Sequence, residues 1–102
     1  MLRTEGADTM RVISNRSLLA FAAIHPGATK PLHAWRKIVE ANAFSNFSEL
    51  KLTFNATDRV GAFHIFDIGG NKYRIVASIY FNTQKLFVRH VFAHKEYDAW
   101  SP

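Results

Sequence analysis

KYRIVASIYFNTQKLFVRHVFAHKEYDAW, residues 72–100, decides how this chain is read. Two runs rich in β-branched and aromatic residues flank the polar segment Asn82-Thr83-Gln84, and the second run ends on His94, Lys95, Tyr97 and Asp98. Runs of this composition around a short polar break predict a hairpin. The stretch therefore reads as a sheet that carries polar side chains to its own edge. A further run, AFHIFDI (62–68), joins it through Gly69-Gly70-Asn71 and extends the hairpin to an antiparallel meander of three strands.

Alternate residues of a strand point to opposite faces. Tyr73, Ile75, Ala77, Ile79 and Phe81 then form the core face, and Arg74, Val76, Ser78 and Tyr80 the other. A two-residue turn at Thr83-Gln84 would pair Phe81 with Leu86 and put Arg89 and Ala93 on the face of Arg74; a three-residue turn would flip the last strand. A two-residue turn at Gly69-Gly70 or Gly70-Asn71 adds Asp67 to the same face. The expectation is a cluster of Arg74, Arg89 and Asp67 on the side away from the helices, with His64 and His90 on the core side, buried and hydrogen-bonded.

Upstream, MRVIS (10–14) reads as a short strand, and Ser14 and Asn15 offer capping oxygens for a helix to about Ile24, with Leu18, Phe21 and Ala22 on one face. His25-Pro26-Gly27 ends it. Thr29 can cap a second helix with Pro31 in its first turn; Leu32, Trp35, Ile38 and Val39 make its buried stripe, and His33, Arg36 and Lys37 its basic outer face. So short a link predicts an antiparallel helix hairpin. Ser48 is a candidate cap for a helical turn carrying Leu50 and Lys51, and Asn55 to Gly61 reads as a loop.

A chain of 102 residues that is 48% hydrophobic suits one domain over residues 10–102, with residues 1–9 as a flexible leader or an upstream start before Met10. Lys and Arg outnumber Asp and Glu 13 to 8, which makes nucleic acid the first partner to consider, against the alternative of a merely solubilising charge. The absence of cysteine excludes disulfides, thiolate metal sites and thiol nucleophiles. No apolar run approaches the ~20 residues of a membrane span, and no signal core opens the chain, so a cytoplasmic protein is expected.

HPGATKPLHAW (25–35), SELKLTF (48–54), FDIGGNKYRIV (66–76), TQKLFVRHV (83–91) and HKEYD (94–98) follow one another in an order that resembles the HigB toxins of the RelE-like superfamily. The resemblance runs from Met10 to Asp98; GNKYR followed about twenty residues later by HxEYD is its most specific part. The chain departs from the family pattern at Ala93, Asp67 and Phe44, where Thr, Asn and Trp are usual. The resemblance implies an α+β RelE-like fold: an N-terminal strand and helix hairpin on one face of a small antiparallel sheet (β-α-α-β-β-β), then a C-terminal helical turn. It also implies a ribosome-associated endoribonuclease that cuts mRNA without metal or other cofactor. Such a toxin is neutralised by a HigA-like helix-turn-helix antitoxin, through which alone it would meet DNA, and it has no membrane partner.

Metal-independent RNA cleavage needs a base for the 2′-hydroxyl, an acid for the departing 5′-oxygen and cations for the charged phosphorane. His94 is suited to proton transfer, and Tyr97, three residues on, would share its side of a helical turn. Arg74 suits bidentate phosphate contact, or an ion pair with Asp67. Lys51 matches a basic family position. These four are the candidate catalytic residues, and Arg89, Lys95, Lys72 and Asn71 the candidate RNA contacts. His25 and His33 read as helix-cap and surface residues, and no pair of histidines has metal-ligand spacing with a carboxylate on a shared face. Two other readings fit the same residues: a non-catalytic toxin of this fold that binds a protein target as ParE-like relatives bind gyrase, and an RNA-binding module without cleavage.

Overall fold

The computed structural model describes residues 9–13 and 15–101; Ser14 as a helix cap and the leader, apart from Thr9, lie outside the described residues. In chain order the elements are β1 (Arg11–Ile13), α1 (Asn15–Ile24), a 3-10 turn (Pro26–Ala28), α2 (Thr29–Glu40), α3 (Phe47–Thr53), β2 (Asp58–Val60), β3 (Phe63–Ile68), β4 (Tyr73–Tyr80), β5 (Lys85–Ala93) and α4 (His94–Asp98). The strands form one open sheet in the order β1-β5-β4-β3-β2, with β1 parallel to β5 and the other pairs antiparallel.

The helices bury the stripes that their spacing called for: Leu18 and Phe21 on α1, and Leu32, Trp35 and Val39 on α2. Ile38, expected in that stripe, is exposed. These side chains meet Phe66, Ile68, Ile75, Ala77, Leu86 and Val88 from one face of the sheet in a single hydrophobic cluster. The edge of the Trp35 ring meets Phe66, with centroids 5.2 Å apart, an arrangement favoured by the ring quadrupoles.

Several local expectations are corrected. Thr29 is the first residue of α2 rather than its cap, and Ala28 at the cap position makes no side-chain bond. Asn46, not Ser48, caps α3: its Oδ1 accepts from the Glu49 amide at 2.9 Å, while Glu49 Oε1 accepts from the Ser45 amide at 2.7 Å. Part of the presumed loop at 55–61 is the edge strand β2, too short for three residues to show a period. The sheet is mixed rather than wholly antiparallel. β1 is drawn beside β5 by a main-chain bond from the Arg11 amide to Gln84 O (2.9 Å), and the Met10 amide ties it to the end of α2 through Asn42 O (2.8 Å).

The first hairpin has the register of a turn centred on Gly70-Asn71, with Asp67 opposite Arg74 and Ile68 opposite Tyr73. Gly70 and Asn71 have φ of 62° and 80°, the left-handed pair that matches strand twist in two-residue hairpins. The second hairpin differs from expectation. Tyr80 pairs with Lys85 across the four-residue loop 81–84, so Leu86 faces Ile79 and not Phe81. Then the register slips by one between Val76 and Ala77, because Arg89 is an extra residue between Val88 and His90. A bulge of this kind reverses the parity of everything after it. Val91 turns to the core face, opposite Ile75, and His90 and Phe92 turn outward opposite Val76 and Arg74. Ala93 faces Tyr73 on the helix side, and His90 is exposed, both contrary to the parity reading.

The outward face has a smaller buried cluster of its own. Ile65 and Val76 are 3% and 0% exposed yet stand outside the main core. Past α4 the chain brings Trp100 back over them, its ring 5.8 Å from Phe63, 5.7 Å from His90, 6.0 Å from Phe92 and 5.9 Å from Tyr97, centre to centre.

Gln84 fastens the second hairpin to the rest. Its Oε1 accepts from the Phe44 amide at 3.1 Å, and its Nε2 donates to the carbonyls of Phe44 and Phe81 at 2.5 and 2.7 Å. Gln84→Ala should cost about 1–3 kcal/mol by leaving these part-buried groups unpaired, read as a lower urea midpoint with unchanged slope.

His64 is buried as expected but not hydrogen-bonded: among the described residues neither ring nitrogen has a partner, and the ring packs between Phe47 and Phe81 at 5.5 and 5.7 Å. Burial first, and the Arg59 charge second, hold its pKa below the ordinary value of 6.5. The unfolded chain then binds a proton that the folded chain refuses, so stability falls as pH drops below the ordinary histidine range and is insensitive to His64 above it. Urea midpoints compared at about pH 7.5 and about pH 5 should differ by less in His64→Phe than in the parent.

Candidate active site

Arg74 lies on the outward face of β4, 8% exposed, and its guanidinium organises everything around it. Nε–H pairs with Asp67 Oδ1 at 2.9 Å, directly across the β3–β4 ladder. One terminal nitrogen donates to the Asn71 and Tyr73 carbonyls, each at 3.2 Å, and the other to Asn71 Oδ1 at 2.6 Å and His94 Nδ1 at 3.2 Å. An arginine has five N–H donors, and here five acceptors meet them. Tyr97 lies beneath, its ring centre 5.6 Å from the guanidinium carbon.

The turn and α4 make this possible. The left-handed Asn71 curls its carbonyl and its side chain back toward Arg74, three residues on. At the far end of β5 the His94 amide donates to Lys72 O at 3.0 Å, and the Glu96 carboxylate accepts from the Ala93 amide at 2.8 Å, which winds α4 at the level of the turn. His94 and Tyr97 thereby come to one side of α4, as their spacing required.

The tautomer of His94 follows from its partner. A guanidinium can only donate, so Nδ1 accepts, and the neutral ring carries its proton on Nε2. Nε2 lies 3.4 Å from Asp98 Oδ2, and both side chains are about half exposed. Arg74, His94 and Asp98 thus form a relay from a buried cation to solvent, with Tyr97 as its floor.

Of the sequence candidates, Arg74, His94, Tyr97 and Asn71 meet here. Asn71 is an anchor of Arg74 rather than an unengaged surface group, and Asp67 and Asp98 complete the set. Lys72 and Lys95 are exposed on the same rim. Arg89 shares the outward face but not the cluster: its Nε–H donates to Ser78 Oγ at 3.0 Å and its guanidinium lies 5.0 Å from the Phe87 ring centre. Lys51 stands apart, its ammonium over Phe47 on the helix side of the sheet and toward the His64 rung, three rungs or roughly 10 Å from that of Arg74. Parity reasoning missed His90 and Phe92, which flank the site through Trp100. The spacing of Leu86, Val88 and Val91, two residues and then three, was the available signal for the bulge.

A helix hairpin on one face of an open sheet, with a basic, histidine-bearing rim on the other, is the architecture of a RelE-like toxin. The chain belongs to the HigB toxin family: the family described as "HigB_toxin, RelE-like toxic component of a toxin-antitoxin system" matches residues 28–100. It is similar to the mRNA interferase toxin HigB of Escherichia coli (strain K12), 32% identical over 95 residues that cover 90% of this chain and 91% of that protein. It is also similar to the mRNA interferase HigB of E. coli O6:H1, 29% identical over 92 residues covering 87% and 89%. The resemblance read from the motifs is borne out.

Arg74→Lys keeps the charge but places its donors on one nitrogen, which cannot serve Asp67, Asn71, Tyr73 and His94 together. The variant should lose about 2–3 kcal/mol, less than a fully enclosed pair because Asp67 is a third exposed. The His94 ring should also lose its single tautomer, visible in imidazole nitrogen chemical shifts.

Proposed function

We propose that this chain is an endoribonuclease toxin that cleaves mRNA on the translating ribosome in the cytoplasm, and that Arg74, His94 and Tyr97 carry the reaction. The support is the family, the names of its relatives and, above all, the hydrogen bond from Arg74 to His94 Nδ1. That bond describes a closed state. With Nδ1 occupied and the proton on Nε2, His94 has no lone pair to offer a 2′-hydroxyl. A scissile phosphate competes for the same Arg74 nitrogen as a stronger, charged acceptor. Once Arg74 turns to the phosphate, Nδ1 is released and can hold the proton, and Nε2 becomes the base at the exposed side of the ring.

In this reading the 2′-oxygen attacks phosphorus, its proton passes to His94 Nε2, and the 5′-oxygen leaves with a proton from Tyr97 or water. Arg74 offsets the charge that builds on the phosphorane. Lys72 and Lys95 hold the flanking phosphates, and Arg89 a more distant one. Lys51, on the other side of the sheet, has no part in proton transfer. An antitoxin of the HigA type, with its helix-turn-helix fold, is the expected partner.

The test is induced expression followed by mapping of mRNA 5′ ends, in the parent and in His94→Ala and Arg74→Ala. Cuts at discrete positions within translated frames should arise in the parent and fall at least a hundredfold in His94→Ala. Growth arrest with intact transcripts, or full toxicity of His94→Ala, would instead point to a protein target.

A further inference from the structure

A second concave site lies at the other end of the β3–β4 ladder. The pairing of β3 with β4 reaches only to His64 and Ala77, so Ser78 to Tyr80 overhang, bonded to β5 alone. Beside this unpaired edge is a cavity of about 470 Å3, bordered among others by Phe47, Arg59, His64, Ser78, Tyr80 and Phe81. Among the described residues, no carboxylate lines it.

Four features bear on what it would take. Its size falls in the range of small-ligand pockets. Phe47, Tyr80 and Phe81 supply flat apolar surface suited to a planar ring, since base–aromatic stacking tolerates any base. The Arg59 guanidinium, 5.9 Å from the Phe47 ring centre, puts a cation at one wall. Finally, the overhanging edge of β4 presents main-chain donors and acceptors without strand partners, and behind it the His64 ring, 5% exposed, forms part of the wall.

We propose that this cavity binds a nucleotide, with the base against Phe81 and Tyr80 at the β4 edge and the phosphate on Arg59. The aromatic walls call for a planar ring, the unpaired edge for a ring with its own donors and acceptors, and the Arg59 cation for an anion attached to it. The same chemistry belongs to a free mononucleotide and to one residue of an RNA chain. The inference does not rest on the cleavage reading, because the residues named are separate from Arg74, His94 and Tyr97.

The experiment is titration of the isotopically labelled full chain, followed by NMR, with each of the four nucleoside 5′-monophosphates and with a short 2′-O-methyl RNA, which cannot be cleaved through its 2′-oxygen. Saturable shifts are expected at the Ser78, Tyr80 and Phe81 amides and the His64 ring. Arg59→Gln, an exposed position, should weaken binding about tenfold through loss of a charge-assisted contact. His94→Ala, at an exposed position of the other site, should leave these shifts in place even if it abolishes cleavage. Shifts with mononucleotides identify a free-nucleotide site, and shifts with the oligonucleotide alone identify a subsite for an RNA chain. Absence of shifts at these residues with every ligand, shifts confined to Arg74 and His94, or binding unaltered in Arg59→Gln would overturn the proposal.

Discussion

One guanidinium holds the outward face of this protein together. Arg74 projects from a central strand, away from the helices, where it is almost fully buried. A charge so placed is tolerable only if it is paired and its donors are met. Asp67 supplies the opposite charge, the Asn71 turn supplies three acceptors with Tyr73, and His94 supplies the last. The acceptors come from three pieces of local structure, so the turn geometry, the β3–β4 register and the winding of α4 all have to be right at once.

The same constraint links stability to chemistry. His94 is oriented by a group that itself cannot move without giving up hydrogen bonds, and the exposed imidazole is the acceptor it can surrender most readily. The other contacts of Arg74, from the turn and from Asp67, hold the guanidinium beside that ring. Asp67 strengthens this hold with a formal charge. Ala93 faces the helix side opposite Tyr73 and so does not share the face of Arg74.

The bulge at Arg89 has an equally wide influence. By shifting parity once, it lets Val91 join the core and sends His90 and Phe92 outward, where with Trp100 they close a second cluster over Ile65 and Val76. The outward face is therefore divided into a charged site at the Asn71 turn, an aromatic patch at its middle and the Arg89–Ser78 pair beyond. A flat, fully alternating β5 would have left His90 in the core and Val91 in solvent.

What the sequence by itself determined is what depends on neighbours along the chain. The helix stripes, the breaks at Pro26 and Gly70-Asn71, the alternation of β4 and the side of Arg74 and Asp67 are all local periodicities or turn chemistry, and the motif order was enough to indicate the toxin family. The tertiary structure alone decided the rest. Parallel pairing of β1 with β5, the strand at 58–60, the four-residue hairpin loop and the bulge are set by contacts between distant segments. So are the isolation of Lys51 and the convergence of five acceptors on Arg74. A spacing rule sees which face a residue prefers; it cannot see where one extra residue will be absorbed, because that choice is made by the core that Val88 and Val91 must both reach.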